Sequence, residues 1–382
     1  MADVVPVTTV PSPTPTPRRR FGRSSRIRLA VALGAAATLL VALPAMHAGA
    51  AANSYQQTNL VSDLPGKAQL TDPNLVNPWG MAAGPTPVWV ADNGTGVASI
   101  YPGAVPGTPL SIASLVVNIP GGAPTGQVFN GGPGFVVSDG AGHSGPALFI
   151  FSSEAGKITG WNPAVPPPAP STQAQNGATV HGAIYKGLAI ASTSGGDFLY
   201  ASNFHSGHVD VFNSSFKRVH LSGSFRDPNL PAGYGPFGIQ NLGGTIYVTW
   251  AKQGPGNEDE VDGAGLGFVD AFDTSGNFLA RVASRGVLNA PWGLEMAPSS
   301  GFGAFSGDLL VGNFGDGRIN AYDPATGAFR GTLRHANGTA ITIAGLWAIR
   351  FGNGVTGTPT TLLFDAGIRD EAHGLFGTIT AS

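Results

Sequence analysis

The chain has 382 residues, of which 57 are Gly and 31 are Pro, and only 11% are charged. This low charge excludes coiled coils and long solvated helices, whose outer faces need Glu, Lys and Arg, while 42% hydrophobic residues argue against a disordered chain. The chain contains no Cys, which excludes disulfides, Fe–S clusters, thiolate zinc sites and cysteine catalysis. We therefore expect a compact protein of short strands joined by Gly- and Pro-rich turns.

Residues 1–50 have the order of an export signal. A Pro- and Thr-rich tail precedes six Arg, an apolar stretch covers residues 29–45, and small residues at 48–50 would permit cleavage after Ala50. Arg18, Arg19 and Phe21 resemble the twin-arginine type of signal, so we expect secretion to the extracellular space or cell surface by that route. A retained membrane anchor is the alternative, because the apolar stretch approaches the length of a span. Cleavage would leave no stable membrane span.

The charge balance changes once these residues are set aside. Residues 1–50 hold six Arg and one Asp, which leaves 14 basic and 21 acidic side chains, a net charge of −7, on residues 51–382. Nucleic-acid binding needs clustered Lys and Arg to neutralise phosphates. The sequence therefore disfavours a nucleic-acid partner.

A repeat of 51–55 residues runs through the rest of the chain. Each unit starts with an apolar segment marked by Gly or Trp, and the starts are residues 79–82, 134–137, 187–190, 237–239, 292–294 and 347–349. Each start is followed by a β-rich strand, predicted at residues 88–93, 148–153, 198–204, 246–250, 309–314 and 362–367. A Gly-containing turn, an alternating strand and a further apolar run come next. Four strands per unit at this period are typical of propeller blades. We predict an all-β, six-bladed β-propeller that occupies residues 51–382 as a single domain; a β-sandwich array would not give a near-constant period.

The two ends of the repeat predict how the ring closes. The sixth unit stops after its third strand, at residues 374–381, and residues 55–61 near the start form a strand that belongs to no unit. Completion of the last blade by this first strand would leave no unpaired edge between the terminal blades. We expect residues 55–61 to supply the outer strand of the sixth blade.

Propeller geometry also predicts which residues share a face. The loop that leads into the innermost strand of a blade and the loop between its second and third strands open on one face, here called the upper face. The ligand candidates that this rule gathers are Trp79, Asp92, Asn93, Asn203, His205, Asn313, Asp365 and His373. An acidic run at residues 258–262 and Glu371 add carboxylates there. Turn formation is the alternative role for each Asn and Asp, and packing between blades is the alternative for Trp79.

Four of these candidates come from the same loop position in four blades, namely Asp92, Asn203, Asn313 and Asp365. The pseudo-symmetry of a propeller would aim them at one axis. Carboxylate and amide oxygens suit a hard cation, and Ca²⁺ takes six to eight such ligands. The sequence therefore predicts a metal site, for Ca²⁺ rather than Zn²⁺, at this face.

Five stretches carry a resemblance to a known family: residues 203–212, 290–294, 312–320, 345–348 and 370–377. They resemble a family of secreted bacterial propeller proteins of the NHL-like kind, whose function is unassigned. The resemblance covers roughly residues 55–380 and implies six blades, with no catalytic residues to carry over. More distantly, the architecture is similar to gluconolactonase-type lactonases, which hold a divalent metal on Glu, Asn and Asp. Asn203, Asn313 and Asp365 would correspond to such ligands, but Asn77 and Trp79 stand where the first blade should supply an acid.

The sequence leaves three functions open. The first is a binding or interaction module for an extracellular polymer or a small polar ligand. The second is metal-assisted opening of a lactone or ester, with Asp365 or Asp92 as general base. The third is a structural surface protein that uses the propeller as a platform. No P-loop, G-x-S-x-G or H-E-x-x-H motif decides between an enzyme and a binding protein.

Overall fold

The computed structural model describes residues 54–382, in which 27 strands form six radial sheets and one small hairpin. The predicted all-β, six-bladed β-propeller is confirmed. The residues of the predicted export signal, 1–50, lie outside the described residues. Among residues 54–382, the few short helical turns are too short and too polar to cross a membrane.

Strands β1 (Tyr55–Ser62) and β2 (Leu70–Thr71) precede the first blade. Blade 1 contains β3 (Pro78–Ala82), β4 (Val88–Asp92), β5 (Val97–Tyr101) and β6 (Val117–Asn118). Blade 2 and its inserted hairpin contain β7 (Pro124–Phe129), β8 (Val136–Ser138), β9 (Ser144–Pro146), β10 (Phe149–Ser153), β11 (Lys157–Trp161) and β12 (Gln175–Thr179). Blade 3 contains β13 (Tyr185–Thr193), β14 (Gly196–Asn203), β15 (His208–Asn213) and β16 (Arg218–Val219).

Blade 4 contains β17 (Tyr234–Leu242), β18 (Thr245–Lys252), β19 (Gly267–Phe272) and β20 (Phe278–Ser284). Blade 5 contains β21 (Pro291–Met296), β22 (Leu309–Asn313), β23 (Ile319–Tyr322) and β24 (Phe329–Thr332). Blade 6 contains β25 (Leu346–Phe351), β26 (Leu362–Ile368) and β27 (His373–Ala381). Two short 3₁₀ turns lie at Pro255–Asn257 and Gly303–Phe305.

The first strand of the described chain closes the ring, as the sequence predicts. Strand β1 pairs antiparallel with β27, from Tyr55 opposite Ala381 to Ser62 opposite Leu375, with one irregularity between Asn59 and Val61. Strand β2 adds a short parallel pairing outside it. The buried Tyr55 hydroxyl donates a hydrogen bond to the carbonyl of Phe302 at 3.1 Å, which ties the closing strand to blade 5. Both ends of the described residues are therefore held in one sheet.

The predicted start of the second unit, residues 134–137, is wrong. The innermost strand of blade 2 is β7, which pairs with β10, whereas Val136–Ser138 pairs with Ser144–Pro146 in the separate hairpin. This hairpin is an insertion between the first and second strands of the blade. Its apolar Gly-Phe-Val-Val start imitates the pattern of an innermost strand, while the true strand carries the polar Thr125 and Gln127.

A ring of small residues lets the six innermost strands approach the axis. Five glycines occupy equivalent positions, namely Gly80, Gly126, Gly187, Gly238 and Gly293, and Ala348 takes the sixth. A Cβ on Gly238 would lie 2.1 Å from the Trp292 carbonyl oxygen, and one on Gly126 would lie 2.2 Å from the Leu188 nitrogen. The strands therefore pack closely around a narrow axial channel of about 50 Å³.

Candidate binding site on the upper face

Aromatic side chains close the axial channel just below the upper face. The residue immediately before the ring position is Trp79, Phe237, Trp292 or Trp347 in four of the six blades. These four rings are buried and pack on one another, with ring centroids 3.7 Å apart for Trp79 and Trp347 and 4.9 Å apart for Trp292 and Trp347. The tryptophans thus fill the centre of the molecule as an aromatic plug.

Lys186 occupies the same position in blade 3, where the other blades favour an aromatic ring. Its side chain is 0% exposed, and its Nζ lies 2.6 Å from Glu154 Oε1 and 3.4 Å from Asp259 Oδ1. The same Nζ lies 4.8 Å from the centroid of the Trp79 ring, close enough for a cation–π contact. A buried ammonium is stable only with such partners. Lys186 therefore anchors carboxylates of two loops above the aromatic plug.

The carboxylates around Lys186 exceed the positive charge available to them. Burial raises the pKa of Glu260 to about 7, with Lys186 opposing this shift and Asp262 and Glu371 adding to it. Burial also raises the pKa of Glu371, against the influence of the Asn77 side chain. For Lys186, burial would lower the pKa, but Glu154, Glu260 and Asp259 outweigh it and raise the pKa. The cluster therefore contains more carboxylates than cations, and Lys186 is its one positive charge.

Two predicted amide residues support this cluster. Asn93 donates from Nδ2 to Glu154 Oε2 at 3.3 Å, and Asn77 accepts a hydrogen bond from Trp347 Nε1 at 3.2 Å. Asn93 therefore contacts a carboxylate of the neighbouring blade. We define the upper-face cluster as Glu154, Lys186, Asp259, Glu260 and Glu371.

The loops between the second and third strands of the blades hold most of the net negative charge of residues 51–382. They contain eight acidic residues, Glu154, Glu258, Asp259, Glu260, Asp262, Asp316, Asp370 and Glu371, and two basic ones, Arg318 and Arg369. Their net charge is −6, whereas residues 51–382 as a whole carry −7. These loops are therefore acidic, and the rest of residues 51–382 carries a net charge of only −1.

Two of the predicted metal ligands form hydrogen bonds with neighbouring protein groups. Asn203 is 5% exposed and donates from Nδ2 to Asp210 Oδ2 at 2.9 Å. Asn313 is fully buried and donates to the Val287 carbonyl at 2.8 Å and to Asp316 at 3.0 Å. In the described residues, no hydrogen bond joins either amide to the other two predicted ligands.

The other two, Asp92 and Asp365, are fully buried carboxylates on adjacent blades. Burial raises the pKa of Asp92 well above its usual range, and the negative charges of Asp72 and Asp365 add to this shift. Burial likewise raises the pKa of Asp365, although its Oδ1 accepts a hydrogen bond from the Ala348 backbone N–H at 2.6 Å. This pair lies below the surface and belongs to the interior.

In the described residues, neither predicted histidine forms a hydrogen bond or ion pair with the upper-face cluster. His205 is exposed in the loop after β14. His373 is half-buried, with its Nδ1 2.6 Å from Asp63 Oδ2, so it fastens the sixth blade to the segment after β1. Within residues 54–382, no group of three or more His, Asp or Glu side chains is arranged to hold a metal ion. The predicted Ca²⁺ site, which also uses amides, stays a prediction.

Lys186 and Glu154 were not among the site residues predicted from the sequence. Alignment of the six repeats on the ring position would have shown Lys186 as the one charged residue in a layer of Trp, Phe and Thr. That alignment needs the true innermost strand of blade 2, which the inserted hairpin conceals. Glu154 directly follows the second strand of blade 2, so the face rule applied to the predicted strand at residues 148–153 would have included it.

Comparison with known proteins gives clear relatives. No family profile matches the chain. "Uncharacterized protein R648" of Acanthamoeba polyphaga mimivirus is 34% identical over 303 residues, which cover 78% of this chain and 73% of the relative. "Uncharacterized protein L690" of the same virus is 35% identical over 301 residues, which cover 77% of this chain and 78% of the relative. These relatives are viral, whereas the sequence resemblance pointed to bacterial proteins.

Solved structures share the fold. A virginiamycin B lyase from Staphylococcus aureus is 13% identical with a TM-score of 0.50, and the match covers 86% of this chain and 99% of the lyase. A glucose dehydrogenase is also 13% identical with a TM-score of 0.50, over 86% of this chain and all of the dehydrogenase. At this identity the similarity establishes the six-bladed fold and nothing about activity.

Proposed function

The chain belongs to the same protein family as the mimivirus proteins R648 and L690, and we propose that it is a binding module whose acidic upper face captures a ligand rich in ammonium or guanidinium groups. The observation that carries this proposal is the concentration of negative charge on one set of loops. A partner with exposed Lys or Arg side chains, such as a basic extracellular polypeptide, is the ligand class that this charge favours.

The position of the charges supports capture at the surface. The aromatic plug blocks the channel, so a ligand on the upper face meets Glu258, Asp259 and Asp262, which are exposed, above the half-buried Glu260 and Glu371. One face of like charge steers an oppositely charged partner during diffusion. Lys186 pairs directly with Glu154 and Asp259, and its single charge also acts on Glu260 and Glu371, so the carboxylates outnumber their internal counter-charge.

Titration of the purified protein with hexalysine at low ionic strength tests this proposal. We expect saturable binding by calorimetry that weakens steeply with added salt, because screening acts on exposed charges. The triple substitution Glu258→Gln, Asp259→Asn and Asp262→Asn changes only exposed side chains, so the variant should fold. It should bind hexalysine at least tenfold more weakly.

The matched control removes three charges elsewhere. Asp197, Asp273 and Asp323 lie in hairpins and loops at the opposite end of the strands, here called the lower face. Their joint substitution by Asn should leave hexalysine binding within about twofold of that of the unmodified protein. Equal weakening by both triple variants, or no binding by the unmodified protein, would contradict the proposal.

A second candidate function is metal-dependent hydrolysis of a lactone or ester. The observation that favours it is the buried pair Asp92 and Asp365, where two carboxylates on adjacent blades lie within mutual electrostatic influence and no cationic side chain offsets the raised pKa of either. A divalent cation would relieve that repulsion and could polarise a carbonyl. Asn203 and Asn313 would have to release their present partners to complete such a site.

Thermal melts of chelator-treated protein test this second candidate. Binding to the folded state raises stability by about 2.7 kcal/mol at a hundredfold excess over Kd, so Ca²⁺ should raise the melting temperature and Asp365→Asn should abolish the rise. Superimposable melts with Ca²⁺, with Mg²⁺ and with chelator would defeat the cation site. Hydrolysis of a lactone and ester panel, with and without chelator, would then separate binding of metal from catalysis.

We also propose that the protein is exported by the twin-arginine route, which places the acidic face outside the cell. The support is the arrangement of Arg18, Arg19 and Phe21 before an apolar stretch and a small-residue site. Substitution of Arg18, Arg19 and Arg20 by Lys should retain the precursor in the cytoplasm. Unchanged secretion of this variant would assign the protein to the general export route.

A further inference from the structure

A second polar cavity lies on the propeller axis, on the other side of the aromatic plug. It encloses about 240 Å³ and continues the narrow channel towards the lower face, with Gln127 and Gln240 lining both. Its polar lining is completed by Asn241, Glu295 and Arg350. In sequence these residues follow the ring glycines, whereas the plug residues precede them. The cavity is therefore separate from the acidic upper face.

Several polar atoms in this cavity have no partner in the described residues. Gln127 is 5% exposed, and neither its amide oxygen nor its amide nitrogen makes a hydrogen bond. The buried Nε of Arg350 is also without an acceptor, although its terminal NH₂ group donates to the Ala83 carbonyl at 3.2 Å. A buried donor or acceptor left unpaired costs about 1–3 kcal/mol. These three atoms are therefore free to form hydrogen bonds with a molecule in the cavity.

The charged groups of the cavity nearly cancel. Arg350 is the cation that acts on Glu295, and it opposes the rise in the pKa of Glu295, to about 6, that burial causes. The Glu295 carboxylate also accepts a hydrogen bond from the Met296 backbone N–H at 3.1 Å. An anionic ligand would meet this carboxylate, and a cationic ligand would meet the guanidinium. A neutral molecule with several donors and acceptors matches the site better than either ion.

Apolar side chains share the lining with these polar groups. Val128, Phe129, Ile190 and Leu242 contribute carbon surface, and the last three are half-buried, so the cavity communicates with solvent. At about 30 Å³ per water molecule the volume corresponds to about eight waters, which is room for one small molecule. Pockets that combine apolar walls with a few placed polar groups are typical of small-molecule sites.

We propose that this lower-face cavity binds a neutral polyol of monosaccharide size. The free amide of Gln127 would donate to one hydroxyl and accept from another, Arg350 Nε would donate to a hydroxyl oxygen, and Glu295 would accept a hydroxyl hydrogen. The C–H face of the sugar would lie against Phe129 and Leu242. No bond is made or broken, and the cavity acts as a binding site.

Ligand-detected NMR and calorimetry on the purified protein test the proposal. The probes are glucose, galactose and mannose. Cyclohexanol, a ring of similar size with a single hydroxyl, is the comparison compound. We expect saturable binding of at least one hexose and at least tenfold weaker binding of cyclohexanol. Gln127→Leu should weaken hexose binding at least tenfold while the melting temperature stays equal or rises, because the substitution removes two unpaired polar atoms. A purely structural glutamine would show the opposite change in melting temperature.

Gln56→Leu, the same change at an exposed position of β1, is the control and should bind hexose like the unmodified protein. If Gln127→Leu fails to fold, Gln240→Leu, at a half-buried position that lines the same cavity, decides by the hexose-binding measurement alone and should also weaken binding. Failure of all three hexoses to bind, or equal hexose binding by the unmodified protein and the folded cavity variant, would show that the cavity holds solvent only and would overturn the proposal.

Discussion

Lys186 is the residue on which the chemistry of the upper face depends. Its ammonium is inaccessible to solvent and neutralises part of a cluster that otherwise contains only carboxylates. Lys186→Met keeps most of the side-chain volume and removes the charge. Because the partly exposed Glu154 is then left without its cation, we expect a loss of about 1–3 kcal/mol in the free energy of unfolding. Urea denaturation at pH 7 measures it.

The exposed Lys217 provides the matched control, since Lys217→Met should change stability by less than about 0.5 kcal/mol. A double variant with Lys186→Met and Glu154→Gln should be less destabilised than the sum of the two single variants, because the uncompensated carboxylate is removed with its partner. An unchanged urea midpoint for Lys186→Met would contradict the role of this ion pair.

Glu260 makes the stability of the cluster dependent on pH. Its folded-state pKa of about 7 lies above the usual value of 4.5, so the native state binds the proton more tightly than the unfolded chain. Stability from this group is present below about pH 4.5 and is lost as pH rises through 7. Relative to Glu260→Gln, the unmodified protein should therefore lose up to about 3 kcal/mol between pH 4.5 and pH 8.

Urea unfolding of both proteins at the two pH values measures this difference, with Glu258→Gln in the same loop as the exposed control. A stability difference between the unmodified protein and Glu260→Gln that does not vary with pH would show that Glu260 is not part of an overcharged cluster.

For single residues, the position in a loop could be predicted from the sequence, but the burial of the side chain could not. The acidic run at 258–262 and Glu371 were assigned to the upper face correctly because loop position follows from blade topology alone. The burial of Asp92, Asn203, Asn313 and Asp365 could not be predicted, because their side-chain directions depend on neighbours from other blades. A turn residue and a ligand look alike in sequence until those neighbours are known.

At the scale of the element, the innermost strands need a small residue, in five blades a glycine, at the ring position. Gly238→Ala would place a methyl group against the Trp292 carbonyl oxygen, at 2.1 Å without relaxation. Because that oxygen is backbone, strands β17 and β21 must separate. We expect destabilisation of at least about 1–3 kcal/mol, as for overpacked cores, measured as a fall in the midpoint of chemical denaturation.

Gly195→Ala is the control for this effect, since a Cβ there would meet its nearest atom, the Thr193 hydroxyl oxygen, only at 3.5 Å. Ala348 shows that one of the six ring positions accommodates a methyl group. Equal stability of the Gly238→Ala and Gly195→Ala variants would mean that the ring positions are not sterically required to be glycine.

The strands themselves were largely predictable, for a physical reason. The second strands of all six blades overlap the predicted segments, because a short buried apolar run bounded by turn residues is a strong local signal. The innermost strand of blade 2 was not predicted, because it buries the polar Thr125. The Thr125 hydroxyl donates to the Tyr185 carbonyl at 2.8 Å. That hydrogen bond crosses to the next blade and leaves no trace in local hydrophobicity.

At the scale of the whole molecule, the closing strand converts six blades into a ring. Strand β1 pairs with β27 along its full length and buries Tyr55, Leu60 and Val61. Deletion of residues 51–62 would expose both the edge of β27 and the apolar surface beneath it. We expect a much lower melting temperature and aggregation, detected by light scattering during the melt.

Substitution of the exposed Gln56 by Lys, which keeps the backbone pairing, is the control and should melt like the unmodified protein. A deletion variant with the original melting temperature would show that the pairing of β1 does not close the ring.

The central claim concerns the whole molecule. Its net negative charge is concentrated in the upper-face loops between the second and third strands, and these loops bind cationic ligands. Hydrogen–deuterium exchange of the purified protein, with and without saturating hexalysine, tests this claim most directly because it reports the location of binding. We predict slower exchange confined to the loops between the second and third strands, above all 253–266 and 369–372. Protection of the lower-face hairpins, or no protection anywhere under conditions of measured binding, would contradict it.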